Sequence, residues 1–288
     1  MAAIGESASV RTLDRGLTER HGKDVPPQHI TARKKWSGRK VIALDRFGQD
    51  GLCGDISNMD GLRHTIETVK PDILVNAAAY TSVDKAEDEP ELAIRLNAEA
   101  PVVMAKAMKA LGGCLVHYST DYVFDGSGTR PWKETDDVGP LSWVYASRGN
   151  NFAKTMLRLA KERDTLNVIN DQIGAPTGAD LIADITAHAL RQWQQQPQTG
   201  LYHLAASGET SWHQYASFVI QWAQKAGIPL AVETVNPIPS EDYPVPAERP
   251  KNSRLDCRLL ESTFGLQLPQ WQQGVERMLQ EIMDKEAQ

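Results

Sequence analysis

LGGCLVHYSTDYVFDGSGTRPW, residues 111–132, is the stretch on which the reading of this chain turns. Cys114-Leu-Val-His-Tyr118 is a short apolar run that opens into the hydroxyls of Ser119 and Thr120, the carboxylate of Asp121 and, further on, Gly126. The pattern predicts a mostly buried strand over 114–118 that leaves its sheet at 119–121. In open α/β sheets ligands bind at the carboxyl ends of the strands, so these polar residues stand where a site belongs. A hydroxyl placed there can donate to a carbonyl oxygen as charge develops on it, which singles out Ser119 and Thr120 as candidate catalytic groups. Taken alone, a strand followed by a polar turn explains the same residues.

The flanking sequence supplies the sheet. Val41-Ile-Ala-Leu44 reads as a short buried strand ending at Asp45, and Asp72-Ile-Leu-Val-Asn76 as a second strand opening into Ala77-Ala-Ala-Tyr-Thr81. Between them, residues 55–58 offer capping side chains to a helix over 59–69, which Pro71 stops. Residues 87–111 are helical in spacing, interrupted at Pro90 and Pro101. Beyond Trp132, helices are expected over 151–163, 179–193, 211–226 and 270–285, an extended segment over 167–177 and a strand over 201–205. Strands alternating with helices predict a parallel sheet flanked by helices.

Composition narrows the class. With 288 residues, 41% hydrophobic content and 24% charge, the chain is an ordinary globular one, long enough for one large or two modest domains. No apolar run approaches the ~20 residues of a bilayer span, and the first residues lack a secretory apolar core, so a cytoplasmic protein is expected. Cys53, Cys114 and Cys257 are too widely spaced for a disulfide framework or a zinc site. The net charge of -6 argues against general nucleic-acid binding, although residues 1–40 carry +5 and the remainder -11. Beyond Met1-Ala-Ala-Ile4, residues 1–39 hold no run of four apolar residues and read as a basic, weakly ordered segment. Five prolines fall within 237–250.

Two loop-like patterns have plainer readings. Gly48, Gly51 and Gly54 have the spacing of a dinucleotide loop, but residues 55–58 put the helix start later, and Asp50 and Asp55 would repel phosphate. The match reads as accidental. Asn150-Asn-Phe-Ala-Lys154-Thr155 loosely matches a Walker loop but has Ala153 where glycine is required, so a helix start is expected. His64, His117, His188, His203 and His213 each stand apart from metal-type spacing. The paired strand ends at 76–81 and 118–121 are more telling. Small side chains at 77–79 allow close approach of a flat cofactor, and Asp45 is placed to hydrogen-bond a ribose or adenine.

These stretches together, with GLCGDISN (51–58), SWVYASRGNNFAKTMLRLAKER (142–163), VINDQIGAPTGADLIAD (168–184), GLYHLAASGETSWHQYA (200–216) and RPKNSRLD (249–256), resemble the dTDP-4-dehydrorhamnose reductases, extended short-chain dehydrogenase/reductases acting on nucleotide sugars, over residues 41–285. The resemblance implies an α/β fold: a Rossmann-like doubly wound parallel sheet over 40–145 and a smaller C-terminal substrate-binding region over 146–288, interleaved with it. It implies NADPH- or NADH-dependent reduction of the C4 keto group of dTDP-4-dehydro-L-rhamnose. Thr120 falls on the hydroxyl that polarises that carbonyl, and Asp121 and Trp143 on substrate contacts. Asp45, Asp55, Ile56, Ala79, Tyr80, Thr81 and Tyr118 fall on cofactor-contacting positions. Some members bind Mg2+ at a homodimer interface, and Asp180 stands where they carry glutamate.

Two family features are missing from the sequence. Nothing in residues 1–40 reproduces the first strand and its G-x-x-G-Q-x-G turn, and Pro140-Leu141 joins directly to Ser142-Trp143 where members carry N-V-Y-G-x-[ST]-K. Tyrosines stand at 80, 118, 122, 145, 202, 215 and 243, and none has lysine four residues later. In the superfamily that lysine lowers the tyrosine pKa, and tyrosine protonates the developing alkoxide. The expectation is a reductase impaired or inactive in catalysis, or else a non-catalytic nucleotide-binding or regulatory subunit of the same descent. Strands beside the missing one are expected to lose ladder partners.

Overall fold

The computed structural model describes residues 35–36, 39–81, 83–86, 88–119, 125–136, 144–146, 150–243 and 249–286. The chain divides into two compact units at the step from Tyr118 to Ser119, each considered by itself.

In the N-terminal unit β1 (Lys35–Trp36) and β2 (Arg39–Lys40) form a short antiparallel pair. Helix α1 (Met59–Val69) starts as expected, with Asn58 Oδ1 accepting from Gly61 N at 3.0 Å, and ends at Lys70 in the left-handed region, φ 47°, just before Pro71. Strand β3 (Ile73–Asn76) follows, then α2 (Val83–Ala86), α3 (Pro90–Ile94), a π turn (Arg95–Glu99) and α4 (Ala100–Leu111). The two prolines explain the breaks. Pro90 takes the first turn of α3, where no N–H is needed. Pro101 has no N–H to give the helical ladder, and the chain widens into the π turn beside it. Gly112, φ 69°, ends α4, and the chain enters β4 (Cys114–His117), parallel to β3 in the register Ile73↔Cys114 to Asn76↔His117. Leu62, Ile66, Ala100, Met104 and Met108 are buried together between α1, α4 and the ladder, with Ile56, Met59, Leu74 and Leu115 packed on them.

Two expectations are corrected here. Residues 41–44 form no strand: among the described residues nothing pairs with them, and an extended segment without a ladder leaves its N–H and C=O groups to solvent. Strand β4 is half-buried along its length rather than mostly buried, because β3 is its one ladder partner among the described residues.

The C-terminal unit repeats the strand–helix alternation. Its elements are β5 (Val144–Tyr145), α5 (Phe152–Glu162), β6 (Thr165–Ile169), β7 (Ile173–Gly174), β8 (Thr177–Gly178), α6 (Ala179–Gln195), β9 (Thr210–Ser211), α7 (Trp212–Lys225), β10 (Thr234–Ile238), α8 (Arg258–Phe264) and α9 (Trp271–Glu286). β6 and β10 run parallel over five residue pairs, β5 pairs parallel with β8, and β7 pairs antiparallel with β9. Asn151 caps α5, and Ser211 with Gln214 closes a capping box on α7. The core gathers Tyr145, Ala153, Tyr215, Val219, Trp271, Val275 and Leu279, with Phe152 and Trp212 against it at 4.6 Å between ring centroids. Val275 and Leu279 are 0% exposed, each contributing about 1.5–3 kcal/mol of burial.

The strand expected over 201–205 is absent. Side chains take the bonds a ladder would have used. Glu134 accepts from His203 N at 2.9 Å, Cys257 Sγ from Ala205 N at 3.3 Å and Thr177 Oγ1 from Ala206 N at 3.0 Å. Among the described residues no helix is long and apolar enough to cross a membrane.

Candidate active site

Within the N-terminal unit the parallel ladder brings the carboxyl ends of β3 and β4 side by side. Asn76, 4% exposed, accepts from the Ala78 amide through Oδ1 at 3.1 Å, which folds 76–78 into a tight turn. The same carboxamide meets His117 Nδ1 at 3.0 Å. Further along, Asn97 Oδ1 accepts from Tyr80 N at 2.8 Å and its Nδ2 donates to Tyr80 O at 3.0 Å. Asn97 sits in the π turn, so the irregular helix is what pins the strand-end segment. Ala78 and Ala79 are left exposed between the two clamps, and Thr81 is half-buried. The Tyr80 hydroxyl donates to Glu89 at 2.7 Å, and that bond raises its pKa above the usual tyrosine value. Tyr118 extends the ladder, its N–H donating to Asn76 O at 3.4 Å. Residues 79–81 and 118 are thus brought to one sheet end.

Asp45, Asp55 and Ile56 belong to a separate segment that wraps onto α1. Gly48 and Gly51 take φ of 66° and 79° in a turn closed by Gln49 and Leu52, five residues and more before the helix, so the accidental reading of the glycine spacing holds. Gly54 is needed for packing, because a Cβ there would overlap the Asp45 carbonyl. Cys53 is tied to Thr65 of α1 by two hydrogen bonds, at 2.7 and 3.2 Å. Asp55 accepts from the Ser57 amide and hydroxyl at 2.9 and 2.7 Å, and the hydroxyl bond leads the effects that hold its carboxyl below the ordinary range. Asp45 Oδ1 accepts from Phe47 N at 2.9 Å and remains exposed. Ile56 packs on the cluster that also touches Leu74 and Leu115, which is what joins this segment to the sheet.

In the C-terminal unit two stretches far apart in sequence close on each other. Asn252, 2% exposed, donates to the carbonyls of Ser127 and Arg130 at 3.1 and 2.9 Å, and its own carbonyl accepts from Trp132 Nε1 at 3.1 Å. Trp132 N and O bond to Arg254 and Asp256. Gly126, φ 75°, lies so close to Pro250 that a side chain could not fit. Residues 126–132 are thereby anchored by 250–256. Thr120, Asp121 and Trp143 lie outside the described residues.

Asp180 opens α6 and its carboxylate meets Arg277 of α9 at 3.4 Å. The groove between these helices, about 270 Å³, is floored by Tyr145. Burial pushes the Tyr145 hydroxyl above the usual tyrosine range. Among the described residues no three His, Cys, Asp or Glu side chains are grouped to hold a metal ion, so no step is assigned to Mg2+.

Ala78 and Ala79 present small exposed side chains, and the Asp45 carboxylate is exposed. A glycine-rich strand-to-helix turn, which would receive the pyrophosphate, is not found among the described residues. Asn76, Asn97, His117 and Asn252 were missed as site residues by sequence reasoning. Asn97 follows a helical run four residues before a proline, a spacing that marks a helix irregularity.

The family model for the RmlD substrate binding domain matches residues 27–142 and 141–283, reaching further back than residue 41 and breaking at the Leu141–Ser142 junction. The chain is 51% identical over 274 residues to a dTDP-4-dehydrorhamnose reductase of Escherichia coli strain K12, covering 86% of this chain and 91% of that one. It is 52% identical over 269 residues to that of Salmonella typhimurium, covering 84% and 90%. The crystal structure of dTDP-4-dehydrorhamnose reductase from Bacillus anthracis in complex with NADP superposes with a TM-score of 0.70 at 32% identity, covering 79% of this chain and 86% of that one. The Rossmann-type α/β fold, the motifs at 41–58, 71–97 and 249–256 and these relatives agree: the chain belongs to the dTDP-4-dehydrorhamnose reductase family.

Proposed function

We propose that this chain is a nucleotide-sugar reductase that binds a nicotinamide cofactor but reduces the C4 ketone of dTDP-4-dehydro-L-rhamnose slowly, for want of its proton donor. When bound, the cofactor supplies the hydride. Of the chain's own residues, the small side chains at 77–79 would lie against its flat face, and Asp45 would accept from a ribose hydroxyl. Tyr80, Thr81 and Tyr118 would line the same sheet end, and Asp55 and Ile56, on the segment packed against α1, would complete the cofactor contacts. Thr120 would donate to the C4 carbonyl oxygen, with Asp121 and Trp143 holding the sugar.

The observation that carries the impairment is the absence of any tyrosine followed four residues later by lysine. Tyr145, Tyr215 and Tyr80 are poor substitutes. Tyr215 is 2% exposed and Tyr145 6% exposed, and burial raises the pKa of both, the reverse of what an alkoxide's proton donor needs. Tyr80 is committed to Glu89. Loss of a general acid costs typically about 10²–10⁴-fold, so NADPH oxidation with dTDP-4-dehydro-L-rhamnose should run slower than in the Escherichia coli relative by that factor. A rate within about threefold of the relative would refute the impairment. Separate titration with NADPH and with dTDP tests binding. A folded chain that binds a ligand without turnover is the outcome expected of a non-catalytic regulatory subunit.

A further inference from the structure

Asn76 and His117 face each other at the last position of the β3–β4 register. The Ala78 N–H can only donate, so the Asn76 Oδ1 must face it. That leaves Asn76 Nδ2, also a donor, against His117 Nδ1 at 3.0 Å. His117 must therefore present a bare Nδ1 lone pair, with the ring proton on Nε2. We propose that His117 is a positioning residue for the sheet end: its unprotonated Nδ1 locks the Asn76 carboxamide onto the Ala78 amide, and protonation at Nδ1 unlocks residues 77–79. The consequence for ligand binding rests on reading 77–79 as the cofactor floor.

Protonation would set two donors against each other at 3.0 Å. The carboxamide relieves this by rotating its oxygen toward the imidazolium, which turns Nδ2 toward the Ala78 N–H and breaks the turn. Ala78 is exposed, so its freed amide goes to water and the segment shifts. Among the described residues, the elements packed on this pair carry no charge that forestalls this. Ile73, Leu74 and Val75 of β3 do not titrate, and α4 faces the strands with buried Met104 and Met108 while Lys106 and Lys109 are exposed. Cys114 lies at the far end of β4. Burial holds the imidazole below the usual histidine pKa, so the locked state prevails at neutral pH and is lost on acidification.

The test is an NMR pH titration of the labelled full-length chain, following the His117 ring and the Ala78 amide, with NADPH affinity measured over the same range. In the wild type the Ala78 signal should move with the His117 midpoint, and NADPH affinity should fall about tenfold across it. In His117→Gln, whose Oε1 accepts from Asn76 but cannot titrate, both should be flat. In Asn76→Asp, whose carboxylate can accept from both neighbours, the His117 midpoint should move up. An Ala78 signal that stays still while His117 titrates, or that titrates equally in His117→Gln, overturns the inference. Ala78 tracking His117 in a chain that binds no NADPH at any pH supports the lock and overturns the cofactor reading instead.

Discussion

Replacing Asn151 by alanine should remove about 2–4 kcal/mol from the C-terminal unit. The side chain is 2% exposed and serves two elements at once. Its Oδ1 caps α5 by accepting from Lys154 N at 3.0 Å, a role worth about 1 kcal/mol. Its Nδ2 donates to the Ala146 carbonyl at 2.6 Å and touches Met278 Sδ at 3.5 Å. Truncation strands that carbonyl, adding about 1–3 kcal/mol. Urea unfolding followed by tryptophan fluorescence is the assay, since Trp212 packs on Phe152, the residue next to Asn151. Asn151→Asp sharpens the test. It keeps the cap but sets a buried carboxylate against a carbonyl oxygen, so burial raises its pKa above the unfolded value. The penalty is then present at neutral pH and relieved on acidification, once the protonated carboxyl can donate to Ala146. A loss under about 0.5 kcal/mol in Asn151→Ala, at unchanged denaturant slope, would refute this account.

Two further outcomes follow from other contacts. Asn97→Ala removes both bonds to the Tyr80 backbone, so hydrogen exchange at the Tyr80 amide should accelerate at least tenfold while exchange in β3 is unchanged. At acid pH, Arg130 and the Lys133 amide hold the Asp136 carboxyl at about 2, below its unfolded value of about 3.9. The stabilisation is complete above the unfolded pKa and disappears as pH falls through the folded one, so wild type should lose stability relative to Asp136→Asn between about pH 4 and 2.

Much of the local structure could be read from residues alone, because capping and proline chemistry act within a few positions. Asn58 caps a helix where its side chain predicts, Asn151 rather than its neighbour Asn150 caps the next, and Pro71 and Gly112 stand just past helix ends. The failures share one cause. Residues 41–44 and 201–205 have strand-like composition, but a strand exists only if another segment supplies its ladder. Composition does not say whether one will, or whether Glu134, Thr177 and Cys257 will bond to that backbone first.

The stretch at 111–132 divides the same way. By itself the sequence determined the family, through motifs whose residue types are spaced by chemistry, and it located the two interruptions, one of which the family match meets again at 141–142. Tertiary structure alone decided that Asn76 and His117 are partners, that a π turn beside Pro101 carries Asn97 to Tyr80, and that Asn252 fastens 126–132. Those contacts join residues 17, 41 and 125 positions apart. Such pairings are set by strand register and packing, which no local pattern encodes.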